Sequence, residues 1–375
     1  MESQPAHMLS RLSINRGVDV FIWWPHRRRA SIAMGFNSHR TGPITPSRVC
    51  RWIHLLDPLC HDGRAVLRPV KIQKCGVLHY VAEVSGPVLN EDNNLMPGDY
   101  GYFPESKEGL DYRVQPLPSL PSVTTIERER ELAVTIPRLF ANQPPILEVP
   151  TEFQKVVQQR DSGRCFVSGA WPQEGVEVEV TWIFPPASVR KFDWPRPRGP
   201  NAVVADNTAA MRKDILQLFR RNVFGVDVDD NRRIVIFYDT GSIQLPTHLP
   251  TAPPGPGDEF LRMHLRWCLV AFTTGLDIMN EIDWHDIARL EEELGLAGED
   301  ADCGVVPTDD ERWQTPLGRE IWEDVVRKGL WETQQSQESD EVNHEPVSVI
   351  NASADEWRGD GHPLVRFPPM CRPFE

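Results

Sequence analysis

Apolar positions recur along this chain with two different periods, and the changes of period mark its elements. Residues 18–34 hold two short apolar runs, VDVFIWW and ASIAMGF, separated by the charged turn His26-Arg27-Arg28-Arg29; the pattern predicts two strands. Thr45-Pro46-Ser47 then opens a helix, with Ser47 as its expected N-cap and Val49, Trp52, Ile53 and Leu56 at helical spacing. Residues 64–83 return to alternation in RAVLRPVKI and GVLHYVAEV, and GDYGYFP at 98–104 supplies a closing strand. A small α+β domain over 15–104 is the expectation. Proline and serine crowd 104–122, a short helix is expected over 125–141, and Asn142 to Pro150 is punctuated by proline again, so 105–150 reads as a linker.

A second unit begins near Thr151. Phe153, Val156 and Val157 sit at helical spacing over 151–160, and Arg160 to Cys165 is expected to turn into a strand. VEVEVTWIF at 176–184 alternates as a strand should. Asp206-Asn207 is expected to precede a helix from Thr208 to Arg220, with Met211, Ile215, Leu218 and Phe219 inward, and RRIVIFY at 232–238 predicts one more strand. After the Pro/Gly break at 250–257, Leu261, Leu265, Cys268, Leu269 and Phe272 predict a buried helix over 260–272. Acidic helices are expected at 281–296 and at 310–331, the latter with Trp313, Ile321, Trp322 and Val325 inward. These form a helical region over 258–331, and the polar, acidic segment 332–375 is expected to be disordered.

Composition sharpens this picture mainly through its distribution. Thirty-four prolines in 375 residues exceed the usual share of ~5%, as expected for globular pieces joined by stiff irregular connections. The net charge of −14 is not spread evenly. Residues 1–150 hold 17 basic and 15 acidic side chains, 151–250 hold 13 and 12, and 251–375 hold 10 and 27. The acidity belongs to the last third, so it excludes a uniformly basic nucleic-acid binder without excluding nucleic acid from the middle of the chain. No apolar run approaches the ~18 residues that span a bilayer, and no signal peptide is read at the N-terminus, so no membrane partner is expected. Seven widely spaced cysteines without a CxxC pair suggest free, mostly buried thiols, and an intracellular protein of the cytoplasm or nucleus.

Three pieces of the middle segment occur in a telling order: RDSGRCFVSG at 160–169, VTWIFPPA at 180–187, and DNTAAMRKDILQLFRRNVFGVDVDDNRRIVIF at 206–237. Together they resemble the HNH nuclease domains of fungal proteins, over 151–247. Those domains carry a Cys-containing turn, an AHIFP-like strand end, and a helix beginning after an Asn and bearing a His. The resemblance implies a central ββα-metal fold, in which one divalent cation stabilises the phosphorane and a strand-end His activates water. It also implies that the Asn holds the hairpin and the His by hydrogen bonds.

Carried over residue by residue, the catalytic set is broken. The strand-end His falls on Trp182, whose indole offers an N–H donor and no ligating lone pair. The helix His falls on Leu216, and the Asp after the motif's last Phe falls on Arg220. Asn207 alone survives. The eleven histidines leave 80–247 empty, so only His248 or His264 lies near enough in sequence to substitute. Glu177, Glu179, Asp206 and Asp214 are the nearby acids; the bland assignments are a solvated strand face for the glutamates and a helix N-cap for Asp206. Asp227, Asp229 and Asp230 lack the Gly and terminal Glu of a calcium loop and read as a turn. No metal ligands and no cofactor are therefore expected; a divalent metal would accompany an active site only. Trp182 and Leu216 are expected side by side where the metal would sit.

Binding can outlast cutting. Arg190, Lys191, Arg196 and Arg198 surround Trp194 in the loop after the predicted strand, and Arg212, Lys213 and Arg220 lie on or beside the predicted helix. Cations interleaved with an aromatic suit a phosphate backbone and one stacked base, so DNA or RNA is the expected partner of 151–250. The alternative is a non-enzymatic scaffold whose acidic C-terminal third binds a basic protein. An active metal-dependent endonuclease is the third option.

Overall fold

A computed structural model describes residues 7–25, 29–56, 65–104, 148–171, 177–186, 202–250, 255–296, 306–307 and 309–342. The expected helix over 125–141 and nearly all of the expected linker lie outside the described residues. The described residues are α+β, and those up to Asp324 fall in one compact unit.

The first part is a strongly bent five-stranded sheet. Its strands are β1 (Val20–Pro25), β2 (Ala30–Phe36), β3 (Ala65–Gly76), β4 (His79–Val84) and β5 (Gly98–Pro104), in the order β2-β1-β5-β3-β4. β1 and β5 run parallel; the other pairs are antiparallel. β3 pairs with β5 through Ala65–Pro69 and with β4 from Val70 onward. That hand-over curls the sheet until β2 comes into contact with β4. Both faces are buried, which is why β1 reads as a continuous apolar run. Val20, Ile22 and Trp24 enter one core while Phe21 and Trp23 enter another. The pairing passes from Ile22↔Met34 to Trp23↔Ile32, leaving Ala33 as the extra residue of a bulge that keeps β2 in phase with both cores.

His7 plugs the concave face. Its ring meets Phe21 and Trp23 edge-on at 4.8 Å each and Tyr80 at 6.2 Å, and its Nδ1 lies 3.9 Å from Asp99 Oδ1. Asp99 accepts from Trp23 Nε1 at 2.7 Å. Burial lowers the His7 pKa to about 4 and raises that of Asp99. The unfolded imidazole titrates near ~6.5, so between there and about 4 the unfolded chain binds a proton that the folded chain refuses. Stability from this group is complete above that window and is lost as pH falls through it, about 3 kcal/mol in all. Asp99 works with the opposite sign nearer pH 4. His7→Phe should flatten the acid side of the stability curve between about pH 6.5 and 4.5; an unchanged slope in denaturant titrations would show that His7 does not set it.

Helices pack on both faces: Leu12 of the first lies against the concave core, and the third covers the convex one. The short helix α1 (Arg11–Arg16) is capped by Ser10, and the single turn α2 (Ser38–Thr41) by Asn37. α3 (Pro46–Leu56) begins two residues earlier than the sequence suggests. Thr45 rather than Ser47 stands at its start and accepts from Arg48 N at 3.4 Å, because proline at the first helical position needs no partner for a missing N–H. Val49, Trp52, Ile53 and Leu56 of α3 enter the convex core as expected.

The middle segment departs from expectation in three places. Thr208–Arg212 is a strand, not the start of a helix, and only Lys213–Arg220 is helical. The alanines favour helix locally, but pairing with a neighbouring strand buries Thr208, Ala209, Ala210 and Met211 almost completely. Arg164 to Ala170 forms turns rather than a strand, joined to that strand through Phe166 N to Ala210 O at 2.7 Å. Phe224–Asp227, unmarked in the sequence, pairs with Arg233–Ile236. The segment therefore runs α4 (Thr151–Arg160), β6 (Val178–Trp182), β7 (Thr208–Arg212), α5 (Lys213–Arg220), β8 (Phe224–Asp227) and β9 (Arg233–Ile236).

One helix belongs to both parts. α6 (Asp258–Thr273) gives Phe260, Leu261 and Met263 to the core beneath β7 and α5, and Leu265, Cys268, Leu269 and Val270 to the convex core of the first sheet. It approaches β8 at Gly225, where an added Cβ would lie 2.9 Å from Leu265 Cδ1 and 3.2 Å from Cys268 Sγ. The acidic helices follow as α7 (Trp284–Glu293), with an Asp283/Asp286 capping box, and α8 (Pro316–Val342). The backbone of α8 is helical into the segment whose composition predicts disorder; 343–375 lies outside the described residues.

Candidate functional site

β6 and β7 form an antiparallel pair with α5 following directly, and Asn207 sits at the entrance of β7. Its side chain is fully buried and spends every hydrogen atom on the backbone. Nδ2 donates to Phe184 O at 2.7 Å and to Ala202 O at 2.8 Å, Oδ1 accepts from Phe184 N at 2.9 Å, and its carbonyl accepts from Ile183 N at 2.8 Å. Asn207 thus closes the base of the long connection between the two strands. The turn before it is tied to the same place. Asp161 takes two bonds from Arg160 and one from Ala210 N at 3.1 Å, while Arg160 reaches Thr208 O at 2.7 Å. Cys165 is buried and accepts from Arg212 N at 3.4 Å. The Arg-Asp-x-Gly-x-Cys turn accordingly serves as an edge clamp on β7, a role its sequence alone does not announce.

Strand alternation corrects the expected juxtaposition of Trp182 and Leu216. Glu179 and Thr181 of β6 face α5, since Arg220 bonds both, and Ala209 and Met211 of β7 share a core with Leu216. Trp182 is one residue out of phase with Thr181, so it points to the opposite face. There it packs edge-on against Phe153 of α4 at 6.2 Å, outside the cluster that holds Leu216. Its Nε1 is buried without a hydrogen-bond partner among the described residues.

The donor set does not fit a divalent cation. The positions implied by the resemblance offer an indole, an alkyl group and a guanidinium, none of which ligates a metal. No group of three or more His, Cys, Asp or Glu with metal-binding geometry occurs among the described residues. Neither candidate histidine substitutes. His248 is exposed beside Thr247, and His264 stacks on Phe219 at 3.6 Å with Nε2 3.2 Å from the Phe219 carbonyl. The aspartates at the end of β8 and in the turn after it all have donors: Asp227 has Arg51 and the Trp52 indole N–H, Asp229 has Arg262, and Asp230 has Arg48. The hydrogen bond from Arg262 also holds Asp229 below the usual carboxylate range.

The proposed phosphate contacts divide into two groups. Arg190, Lys191, Trp194, Arg196 and Arg198 lie outside the described residues. Arg212, Lys213 and Arg220 each already have a carboxylate: Asp214, Glu177 at 2.9 Å and Glu179 at 2.7 Å, respectively. Hydrogen bonding to its partner raises the pKa of Lys213 and lowers that of Glu177. The Lys213 and Arg220 pairs are largely solvent-exposed and therefore exchangeable, whereas the Arg212 pair is about two-thirds covered. Of the acidic residues expected to meet a basic protein, several are occupied internally. Glu281 accepts from the backbone of Arg11 and Leu12 at the start of α1, and Lys74 pairs with Glu320 and Glu323.

Cys165 and Cys268 are buried free thiols as expected, whereas Cys75 is exposed. Burial raises the Cys50 thiol to about 11, which leaves it protonated and unreactive at neutral pH. No helix among the described residues is long and apolar enough to cross a membrane. The chain matches no family model, no curated protein and no solved structure.

Proposed function

We propose that this chain is a nuclease-derived module of the HNH type that no longer cuts and that binds nucleic acid through its middle segment. The observation that carries this reading is the order β6, long connection, Asn207, β7, α5, with Asn207 bonded across the connection as the motif requires and with Trp182 and Leu216 at the motif's two histidine positions. A structural Asn kept while both histidine positions hold side chains that cannot ligate a metal supports retention of the framework without the chemistry.

Two measurements on the full chain test it. Labelled DNA should bind with an affinity that falls steeply as salt rises, the mark of phosphate neutralisation. Plasmid incubated with magnesium, manganese or zinc should not be nicked. Absence of any binding at low salt refutes the module; metal-dependent nicking refutes the loss of catalysis.

A further inference from the structure

We infer that Trp171 and Arg164 form a stacking platform for single-stranded nucleic acid, an inference that rests on the nucleic-acid reading above. Trp171 is 55% exposed, although tryptophan is ordinarily well buried on average. Its ring is already organised: the Arg164 guanidinium carbon lies 4.1 Å from the ring centroid, well inside cation–π range. Arg164 Nε is buried without a hydrogen-bond partner among the described residues, unlike the paired cations Arg212, Lys213 and Arg220. A small cleft runs beside it, lined by Arg164, Arg232, Phe166, Pro250 and Asp161, whose carboxylate is already taken up by Arg160. Arg232 shares its charge with Asp258 at 2.8 Å.

These features assign the two halves of a nucleotide to different places. The phosphate falls to the cationic side, where Arg164 and Arg232 both line the cleft. The exposed indole offers the flat apolar face that a base requires. A base inside a duplex has both faces covered by its neighbours, so only an unstacked strand can use the platform. Arg164 sits on the turn from Asp161 to Ala170 and Trp171 directly follows it; the Asp161–Ala210 and Phe166–Ala210 hydrogen bonds hold that turn to β7. A stacked base is thereby referred to the hairpin rather than to a free loop.

Fluorescence anisotropy on the full chain tests this with labelled oligo-dT, oligo-rU and a duplex of equal length, each about 12 nucleotides. Either single strand should bind more tightly than the duplex. Trp171→Ala and Trp171→Leu should each weaken single-strand binding about tenfold or more, because leucine keeps apolar area without a π face, while Trp171→Phe should keep most of it. Arg164→Ala should weaken binding and reduce the slope of log affinity against log salt by about one. Circular dichroism of the variants, at exposed Trp171 and half-buried Arg164, checks that the fold is retained. If the wild type binds and the Trp171 and Arg164 variants bind equally well, the platform is refuted and the nucleic-acid reading stands. A wild type that binds no nucleic acid overturns both.

Discussion

Asn207→Ala should lower the stability of the chain by about 3–5 kcal/mol, because three buried backbone groups, Phe184 N–H, Phe184 C=O and Ala202 C=O, lose their partner at once. The cavity itself is small; the cost is the stranded polar groups. Asn207→Asp distinguishes this from a packing effect, since it keeps the shape. A carboxylate there would face the Phe184 and Ala202 carbonyls with no proton to offer, in a site closed to water, so at neutral pH it should be worse than alanine. The same environment must raise the folded-state pKa of that acid above its unfolded value. The folded protein then binds more protons than the unfolded one, and the stability of the variant should rise as pH falls from neutral towards ~4. Urea titrations of the three proteins at neutral and mildly acidic pH decide it. Should all three unfold within about 1 kcal/mol of one another, Asn207 is not the staple described here.

The second large effect lies in α3. Trp52 is fully buried between Phe36 and Phe237, with ring centroids 6.3 and 6.0 Å away, and its Nε1 donates to Asp227 at 2.9 Å. Trp52→Ala should cost about 3–5 kcal/mol, and Trp52→Phe, which keeps most of the ring but strands one lone pair of a buried carboxylate, about 1–2. The informative readout is cooperativity. Trp52 lies in the first part of the chain and Asp227 in the middle segment, and Phe237 and the second half of α6 complete the same core. Unfolding followed by tryptophan fluorescence and by far-ultraviolet circular dichroism should therefore move together in the variants, as a single transition. Two separated transitions, only one of them shifted by Trp52→Ala, would mean that the segments are energetically independent.

Much of the fold was legible where one element's own residues decide it. β1 to β5, α3 and α6 follow from runs and periods that local burial enforces. Thr208–Arg212 was not legible, because its strand character comes from pairing with Val178–Trp182, some thirty residues earlier, which overrides the helical preference of its alanines. Phe224–Asp227 was hidden for a related reason: one glycine and one buried aspartate break its apolar pattern, and both are explained only by α6 and by Arg51 and Trp52. At the site, the survival of Asn207 could be read from the chain, but the facing of Trp182 could not. The resemblance placed it against Leu216, whereas the strict two-residue alternation of β6 turned it to α4. Arg164 and Trp171 escaped notice since only the folded turn stacks one upon the other.

The division of α6 between two cores bears on how the chain is made. Synthesis runs from the N-terminus, and the convex face of the first sheet, with α3 upon it, is complete in sequence by Pro104. The residues that finish burying that face, Leu265, Cys268, Leu269 and Val270, are translated some 160 residues later. At about 5–20 residues per second, that leaves the apolar surface waiting roughly 10–30 s on the ribosome. A nascent chain halted before residue 258 should accordingly expose an unfinished hydrophobic face and depend on chaperones, while one carried past residue 273 and clear of the exit tunnel should not.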